Sequence, residues 1–335
     1  MEELHTGQVP LVTVGIPVFN GENNIARVTE LILDQDYTNI EILFSDNCSS
    51  DNSRAIISEL SFQNKNIRLI RSEVNRGALA NINSLFENAQ GKYMLIASLD
   101  DSWSRDFITN SVKIMQNSPN ASLCIPRVNM CIGPKKTIIY SIRLRKDYFF
   151  GQEFRRFWRT LTSFPSAGWY GLYRVSAVRK IGPIPISFAG DLIFLQKLSL
   201  VSNFIYCNTS ILTFEVYEKW NSRESDLSFF YGDAEKPFLR LPFLIVLKTQ
   251  YLSILSMKLP WFLKFGALAQ ILLDFTIKKT LVLTILGIKS SPISKKSKMW
   301  LLLKLHQFFN QPNWVIIENQ DAYLKKEVCE RYGIK

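Results

Sequence analysis

Histidine is nearly absent from this chain, whose 335 residues include only His5 and His306, both far from any motif. Catalysis by histidine is therefore not expected, and a general base in this protein would be a carboxylate. Cysteine is scarce as well, with five residues in irregular spacing. Their odd number and spacing fit neither a disulfide framework nor a zinc site, and they suit a reducing compartment.

Three further absences narrow the possibilities. Residues 1–10 are polar and lack an apolar core, so we expect no secretory signal peptide and a cytoplasmic location. No GxGxxG follows the first predicted strand and no GxxxxGK[ST] occurs anywhere, so a dinucleotide fold or a P-loop is poorly supported. Between positions 240 and 304 there are eleven Lys or Arg residues and one acidic residue, Asp274. The rest of the chain is nearly neutral, so this segment is a basic extension.

The composition, 47% apolar and 21% charged, allows a sizeable core, and the length allows two domains. In the first third of the chain, short apolar runs alternate with segments of helical periodicity. The runs predict strands at residues 11–18, 40–44, 67–70 and 93–99, and the segments between them predict helices at 23–33, 53–62 and 78–88. This alternation predicts a mostly parallel, doubly wound sheet. Further strands are predicted at 121–132 and 137–142, and a helix at 148–161.

Polar residues follow each of the first four predicted strands. Because the carboxyl ends of parallel strands meet at one edge of a sheet, these residues should form one crevice. After the fourth strand, Asp100 and Asp101 stand side by side behind an apolar run. Adjacent carboxylates in an apolar setting repel each other, and a divalent cation would relieve the repulsion and bring diphosphate chemistry with it. The alternative is an aspartate pair that caps a helix starting near Arg105.

Four motifs in this order resemble those of family 2 glycosyltransferases with the GT-A fold. They lie at residues 16–22, 45–53, 75–77 with Asn81, and 99–101. The resemblance is strong over about residues 10–110, weaker to about 215 and absent from the C-terminal third. It implies a GT-A type doubly wound mixed sheet flanked by helices. It also implies an inverting transfer from a nucleotide-sugar donor that is UDP- or dTDP-linked.

The resemblance assigns a nucleoside pocket to the first two motifs. Asp46 would accept the N3–H of uracil or thymine, with Asn47 and Ser49 beside it. Asp51 is interpreted as a helix N-cap rather than a ligand contact. The residues that would line the base and ribose pocket are Pro17, Phe19 and Glu22.

The last two motifs are assigned to the diphosphate. In the turn that ends at Gly77, Arg76 would meet a phosphate, unless it is simply a solvated turn arginine. Asp101 would hold Mg²⁺ or Mn²⁺, with Asp100 supporting the metal or holding the ribose. Many relatives have a further acid where this chain has Ser98, so metal binding is expected to be weaker.

Asp191 follows Gly190 and opens a predicted helix of apolar periodicity. Relatives commonly have Glu-Asp at this point, with the Asp as the general base, so the resemblance makes Asp191 the catalytic base. The alternative is an aspartate that only caps the helix. Beyond residue 212, Lys219 and Arg223 are candidates for the basic group that relatives place near the diphosphate or the acceptor.

The C-terminal third contains apolar segments at residues 243–257, 261–273 and 280–288, which lysines interrupt. Their longest uncharged stretches are nine residues, whereas a bilayer span needs about 18–20. We expect basic amphipathic helices with Trp and Phe that lie at an anionic membrane surface, or a helical cap. Residues 295–298 would add cations for headgroups. No recognised module accompanies this charge, so no nucleic acid is expected as a partner.

We divide the chain into a tail (1–10), a nucleotide-sugar-binding half (11–108), an acceptor-binding half (109–225) and a basic helical, membrane-associating region (226–335). The expected acceptor is a lipid-linked or polysaccharide precursor at the cytoplasmic membrane face. One alternative is a non-catalytic membrane-docking subunit that keeps the fold, as Ser98 and Gly190 would suggest. Another is a nucleotidyltransferase, which would prefer a Gly-rich loop with Lys or Arg where residues 17–22 stand.

Overall fold

A computed structural model describes residues 9–132, 137–144, 152–163, 166–187, 189–216, 242–290 and 315–317. This part of the chain forms a mixed sheet of ten strands flanked by helices, which confirms the predicted fold class. Several predictions fall outside the described residues. They concern the tail at 1–8, Lys219 and Arg223, the cations at 295–298, and the start of the helix predicted at 148–161.

The first half of the sheet is parallel, in the order β3-β2-β1-β4. Its central strand, β1, is buried along nearly its whole length, as a strand covered by helices on both faces requires. The strands are β1 (Val12–Val18), β2 (Ile40–Asp46), β3 (Ile67–Arg71) and β4 (Tyr93–Ile96). The helices that connect them are α1 (Ile25–Leu33), α2 (Ser53–Gln63) and α3 (Ala78–Asn88).

The predicted end of the fourth strand is wrong by three residues. β4 stops at Ile96, and the N–H of Ala97 still donates to the carbonyl of Gly15 at 2.9 Å. From there the chain leaves the sheet, so Asp100 and Asp101 lie in a loop beyond the sheet edge and not at the tip of the strand.

The second half of the sheet is mostly antiparallel. β8 lies between β4 and β6 and is antiparallel to both, whereas β9 runs parallel to β6. The strands are β5 (Ser102–Trp103), β6 (Ala121–Ile132), β7 (Thr137–Leu144), β8 (Leu172–Arg174) and β9 (Asn203–Val216). The helices are α4 (Phe107–Gln116), α5 (Glu153–Ser163), a 3₁₀ turn (Ser166–Tyr170), α6 (Val175–Ile181) and α7 (Gly190–Val201). The helix predicted from residue 148 thus begins at Glu153.

Two helices, α8 (Pro242–Ser256) and α9 (Trp261–Ser290), follow, and β10 (Val315–Ile317) pairs with β7. The apolar segments predicted at 261–273 and 280–288 join into the single helix α9. Ile254 and Ile271 are buried in the same core cluster as Phe194 of α7, so the two helices pack on the body. Within the described part of the chain, no helix combines the length and the apolarity needed to cross a membrane.

A buried carboxylate joins the parallel strands at their amino ends. Glu41 of β2 accepts hydrogen bonds from Thr13 Oγ1 of β1 at 2.5 Å, from the N–H of Gln90 at 2.6 Å and from Arg68 Nη1 of β3 at 2.9 Å. Glu41 is 5% exposed, so water does not replace these partners. One side chain therefore fixes three strands and the turn before β4.

We expect Glu41→Ala to lower the free energy of unfolding by about 1–3 kcal/mol, because it leaves a buried hydroxyl and an N–H without their acceptor. The measurement is urea denaturation followed by circular dichroism. Glu59→Ala is the matched control, since Glu59 is exposed and accepts one long bond, from Gln63. Equal stability of the two variants would contradict this role for Glu41.

Candidate active site

The loops that follow β1 and β2 are joined by hydrogen bonds from main-chain donors to side-chain acceptors. The N–H groups of residues 20–22 donate in turn to Ser49 Oγ, Ser53 Oγ and Asp51 Oδ2, at 2.9, 2.9 and 3.0 Å. The first motif therefore takes its shape from the second, although 30 residues separate them. The crevice predicted at the carboxyl edge of the strands is built by these contacts.

Glu22 and Asp51 face each other across this contact, and each carboxylate is held by the opposite loop. Glu22 Oε2 accepts the N–H and the Nδ2 of Asn52, both at 2.9 Å. Asp51 Oδ1 accepts the N–H of Ser53, the first residue of α2, at 3.0 Å, whereas the N-cap position expected for Asp51 belongs to Asn52. Desolvation raises the pKa of Asp51, but its hydrogen bonds with Ser53 and Glu22 outweigh this, and the pKa is lowered.

Asp46, at the end of β2, is completely buried, and Arg54 of α2 pairs with it. Arg54 Nε lies 2.5 Å from Asp46 Oδ2, and Arg54 Nη2 donates to the carbonyl of Ser72 at 2.5 Å. The N–H of Ser49 donates to Asp46 Oδ1 at 3.2 Å. Sequence reasoning missed Arg54, because one cation on an amphipathic helix carries no sign of a buried partner.

The third loop is tied to the second through Asn47. Asn47 Nδ2 donates to Asn75 Oδ1 at 2.7 Å, and Asn47 Oδ1 accepts the N–H of Arg76 at 3.0 Å. Gly77 has φ +81°, a conformation that favours glycine, and it leads directly into α3. The Arg76 side chain is exposed, with Nη2 3.3 Å from Ser84 Oγ. The structure thus places an exposed cation at the rim of the crevice.

Three non-glycine residues with positive φ stand out in the described part of the chain, and all lie in loops at the predicted site. They are Asn20 (φ 51°), Cys48 (φ 67°) and Ala189 (φ 59°). Such backbone costs of order 1–3 kcal/mol per residue and persists only where the surroundings determine it, which is typical of ligand-binding loops. The hydrogen bonds between the first two loops supply those surroundings for Asn20 and Cys48.

Residues 99–101, which we call the acidic turn, are held by side chains at the start of α1. Arg27 Nη2 donates to the carbonyls of Leu99 and Asp101 at 2.6 and 3.2 Å, and Asn24 Nδ2 donates to Asp100 Oδ1 at 2.9 Å. Asp101 is 1% exposed, whereas Asp100 is half-buried. Sequence reasoning missed Arg27 and Asn24, which lie more than 70 residues from the turn that they fix.

The acidic turn fits a divalent cation of the Mg²⁺ or Mn²⁺ class that is held together with a substrate. Among the described residues no group of three or more His, Cys, Asp or Glu could form a metal cage. Asp100 and Asp101 instead offer carboxylate oxygens, which hard cations prefer. Mg²⁺ in phosphate-transferring sites is typically bound through one or two carboxylates plus phosphate oxygens.

Asp191 stands in the first turn of α7. Burial raises the pKa of its carboxyl, and hydrogen bonds with the N–H groups of Leu192 and Asp191 itself oppose that shift without cancelling it. Burial also raises the pKa of Tyr170, and so do, in decreasing order, the negative charges of Asp101, Asp191 and Asp100. The Asp191 carboxylate and the acidic turn therefore lie around one tyrosine.

The neighbouring Trp169 is part of the core and does not offer a surface to a sugar. It is 5% exposed, and its ring packs edge-on against Tyr173 and Phe194 at 6.3 and 5.6 Å between centroids. The 3₁₀ turn directs the Trp169 side chain inward. Tyr170 is half-buried and faces the carboxylates.

Gly190 is explained by packing. A Cβ atom at this position would lie 2.0 Å from the carbonyl oxygen of Pro185 and 2.7 Å from Leu79 Cδ1. The N–H of Gly190 donates to the carbonyl of Ser187 at 2.9 Å, which folds the preceding loop onto the start of α7. The glutamate that family 2 glycosyltransferases commonly have at this position would not fit at residue 190. The packing of this loop therefore explains why the chain has glycine there.

We expect Gly190→Ala to destabilise the protein by about 1–3 kcal/mol, because the added methyl group must displace the backbone of Pro185. Ala189→Gly is the control next to it, since glycine relieves the positive φ and should leave stability within about 1 kcal/mol. Thermal unfolding of both variants measures the difference. If Gly190→Ala were as stable as Ala189→Gly, the backbone at Pro185 would be able to move without cost, and tight packing at Gly190 would be contradicted.

Comparisons of sequence agree with this architecture. A model of the family described as "Glycosyl transferase family 2" matches residues 13–182, half of the chain. Over 105 residues the chain is 30% identical to the Escherichia coli enzyme named UDP-Glc:alpha-D-GlcNAc-diphosphoundecaprenol beta-1,3-glucosyltransferase WfgD. That match covers 31% of this chain and 41% of WfgD, so the chain spans less than half the length of such curated relatives.

Two solved structures share the fold. The S. aureus TarS fragment 1–349 in complex with UDP-GlcNAc superposes with a TM-score of 0.58 at 17% identity, covering 89% of this chain and 81% of TarS. The mannosyltransferase PcManGT of Pyrobaculum calidifontis, in complex with GDP-Man and Mn²⁺, superposes with a TM-score of 0.52 at 15% identity, covering 97% of this chain and 85% of PcManGT.

Proposed function

The chain belongs to glycosyl transferase family 2, and from that membership we propose that it is an inverting glycosyltransferase that moves a sugar from a nucleotide-sugar to an acceptor hydroxyl. The observation that supports this most is the grouping of three carboxylates around Tyr170. Asp191 belongs to the acceptor half and the acidic turn to the donor half. A transferase needs a base on one side of the sugar and charge compensation on the other.

The donor is proposed to be UDP- or dTDP-linked. Asp46, at the end of β2, is completely buried and paired with Arg54, so its carboxylate would accept the N3–H of the base once the Arg54 side chain has moved aside. Phe19, in the first loop, is an apolar side chain that is 51% exposed, and a bound base would cover it. Pro17, Glu22, Asn47 and Ser49 complete this proposed pocket. The UDP-GlcNAc complex of TarS, which shares the fold, supports a uridine donor.

The diphosphate is proposed to lie between the acidic turn and Arg76 at the start of α3. A Mg²⁺ or Mn²⁺ held by Asp101 and Asp100 supplies, when bound, positive charge to the departing nucleoside diphosphate. PcManGT, with the same fold, has Mn²⁺ together with its nucleotide-sugar. Asn24 of this chain holds the Asp100 carboxylate, and Arg27 holds the main-chain carbonyls of Leu99 and Asp101, so the turn is ordered before the donor arrives.

Asp191 is proposed as the general base. Its carboxylate takes the proton of the acceptor hydroxyl, whose oxygen forms a bond to the anomeric carbon as the bond from that carbon to the diphosphate breaks. One displacement of this kind inverts the anomeric configuration. Burial, which raises the pKa of Asp191, makes it a better proton acceptor than an exposed aspartate. Tyr170, whose pKa is raised, keeps its hydroxyl proton and can donate a hydrogen bond.

The acceptor is proposed to be a lipid-linked or polysaccharide precursor at the cytoplasmic face of a membrane. WfgD, by its name, acts on a diphosphoundecaprenol-linked sugar. In this chain, one face of α9 exposes apolar side chains, with Trp261 at 78%, Phe265 at 70% and Leu272 at 54%. Those side chains belong to the segment with eleven cations and one acid, a pattern typical of helices that lie on anionic lipid.

We expect Asp101→Ala to lose the metal-dependent part of donor binding. In the wild type, a UDP-sugar at 100 times its dissociation constant with Mn²⁺ should add about 2.7 kcal/mol to the free energy of unfolding. Thermal shift over a panel of UDP- and dTDP-sugars, with Mn²⁺ or with a chelator, measures it. Asp106→Ala removes an exposed carboxylate at the start of α4 and is the control. If UDP-sugars stabilised the wild-type protein as much in chelator as in Mn²⁺, donor binding would not need a metal and this part of the proposal would be wrong.

We expect Asp191→Asn to reduce sugar transfer about 10²–10⁴-fold, the usual share of general base catalysis. Affinity for UDP should stay unchanged, because Asp191 belongs to the acceptor side. The wild-type rate should fall with decreasing pH as Asp191 takes up a proton, at a pH above that for an ordinary aspartate, since its pKa is raised. This acidic limb should vanish in Asp191→Asn.

Transfer within a few-fold of the wild type in Asp191→Asn would leave Asp191 as a helix cap only. Release of free sugar from a UDP-sugar in the absence of acceptor separates an enzyme from a non-catalytic subunit with the same fold. No nucleotidyl transfer is expected, because the loop at residues 17–22 lacks the Gly-rich cationic sequence that such enzymes use.

A further inference from the structure

A cationic cavity lies on the body away from the residues assigned to sugar transfer. Its volume is about 730 Å³, and it is enclosed by the end of α6, the 182–185 loop, α7 and the end of α8. No carboxylate is among the described residues that line it. The charged lining residues are Arg179, Lys180, Lys197 and Lys258.

Lys197 is the innermost of these cations. It is 4% exposed, and its Nζ donates to the carbonyl of Pro183 at 3.2 Å. No described acid pairs with it, so one hydrogen bond serves an ammonium group that has three donors. Burial lowers the pKa of Lys197 to about 8, which shows the cost of a charge without a partner. An anion in the cavity would offset that cost and restore the ordinary pKa.

The wall of the cavity at α8 continues into exposed apolar surface. Ser253, Ser256 and Lys258 line the cavity, and some apolar residues near them in the sequence are exposed, although Ile254 and Met257 are buried. These exposed residues are Leu252 (55%), Leu255 (50%), Trp261 (78%), Phe262 (53%) and Phe265 (70%). Cations and hydroxyls therefore lie beside an exposed apolar surface.

We propose that this cavity binds the phosphate headgroup of an anionic membrane lipid, whose acyl chains lie along the exposed side chains of α8 and α9. This inference rests on the membrane location in the proposed function and names the site of contact. Four cations with no acidic residue among them favour a phosphate group as the ligand. The adjacent apolar side chains favour a lipid over a free anion. The Ser253 hydroxyl can donate to a phosphate oxygen, whereas Ser256 Oγ already donates to the carbonyl of Ser253 at 2.9 Å.

The test uses the full chain and vesicles of phosphatidylcholine with or without phosphatidylglycerol, in co-sedimentation. Lys197→Met and Lys258→Gln should each bind phosphatidylglycerol vesicles about tenfold more weakly than the wild type. Lys248→Gln is the matched control, because Lys248 is an exposed cation of α8 outside the cavity. A single surface cation should matter about fivefold or less. Lys258 is exposed, so its variant should fold even if Lys197→Met does not.

Equal weakening by Lys248→Gln and by the two cavity variants would overturn the site and leave only a diffuse basic surface. Thermal stabilisation by inorganic phosphate with no vesicle binding would overturn the lipid and indicate a free-anion site. Release of free sugar from a donor in solution should be unchanged in the cavity variants. Failure of this inference therefore leaves donor chemistry intact, whereas failure of the proposed function abolishes that release in the wild type as well.

Discussion

The crevice at the carboxyl edge of the parallel strands depends on one kind of contact. Main-chain N–H groups of one loop donate hydrogen bonds to side-chain oxygens of the next loop. Consecutive donors at residues 20–22 meet Ser49, Ser53 and Asp51, and Asn47 continues the chain of contacts to the third loop. Ordering a loop costs about 1–2 kcal/mol of backbone entropy per residue, and the left-handed conformations of Asn20 and Cys48 add to it. Because these contacts form on folding, the free energy of donor binding is not spent on shaping the loops.

The acceptor side depends on a different constraint, the tight packing at the start of α7. Gly190 admits no side chain between Pro185 and Leu79, and the turn that precedes it contains Ala189 with a positive φ. Asp191 follows immediately, so its position is set by a backbone that has little freedom. Burial there keeps water away from the carboxylate and raises its pKa, whereas the hydrogen bonds at the helix N-terminus keep it accessible to ionisation. The feature that departs from the family pattern is thus part of what fixes the position of Asp191, the proposed base.

The elements of the parallel half could be predicted from sequence because their signals are local. In this half α3 has the predicted bounds, and so has β6 in the other half, since apolar periodicity and turn residues determine them. The insertion of β8 between β4 and β6 could not be predicted, because strand pairing over 50 or more residues leaves no local pattern. Arg27 was missed for a similar reason, since more than 70 residues separate it from the turn that it holds, whereas Arg54 lies eight residues from Asp46 but carries no local sign of a buried partner. The apolar segments at 261–273 and 280–288 form one helix, because lysines interrupt an apolar run without interrupting a helix.

α7 connects the two surfaces that the proposals assign to this protein. Asp191 lies in its first turn, Gln196 accepts a hydrogen bond from Gln250 of α8 at 2.9 Å, and Lys197 points its ammonium into the cationic cavity. Five and six residues of α-helix separate these side chains from Asp191, a rise of about 8–9 Å. An α-helix buried along one side moves as a unit, since packed interiors deform little. A lipid in the proposed site would therefore act on the same rigid element that carries Asp191, the proposed base. The proposed membrane contact and the proposed base would then be properties of one helix, with no separate linkage required between them.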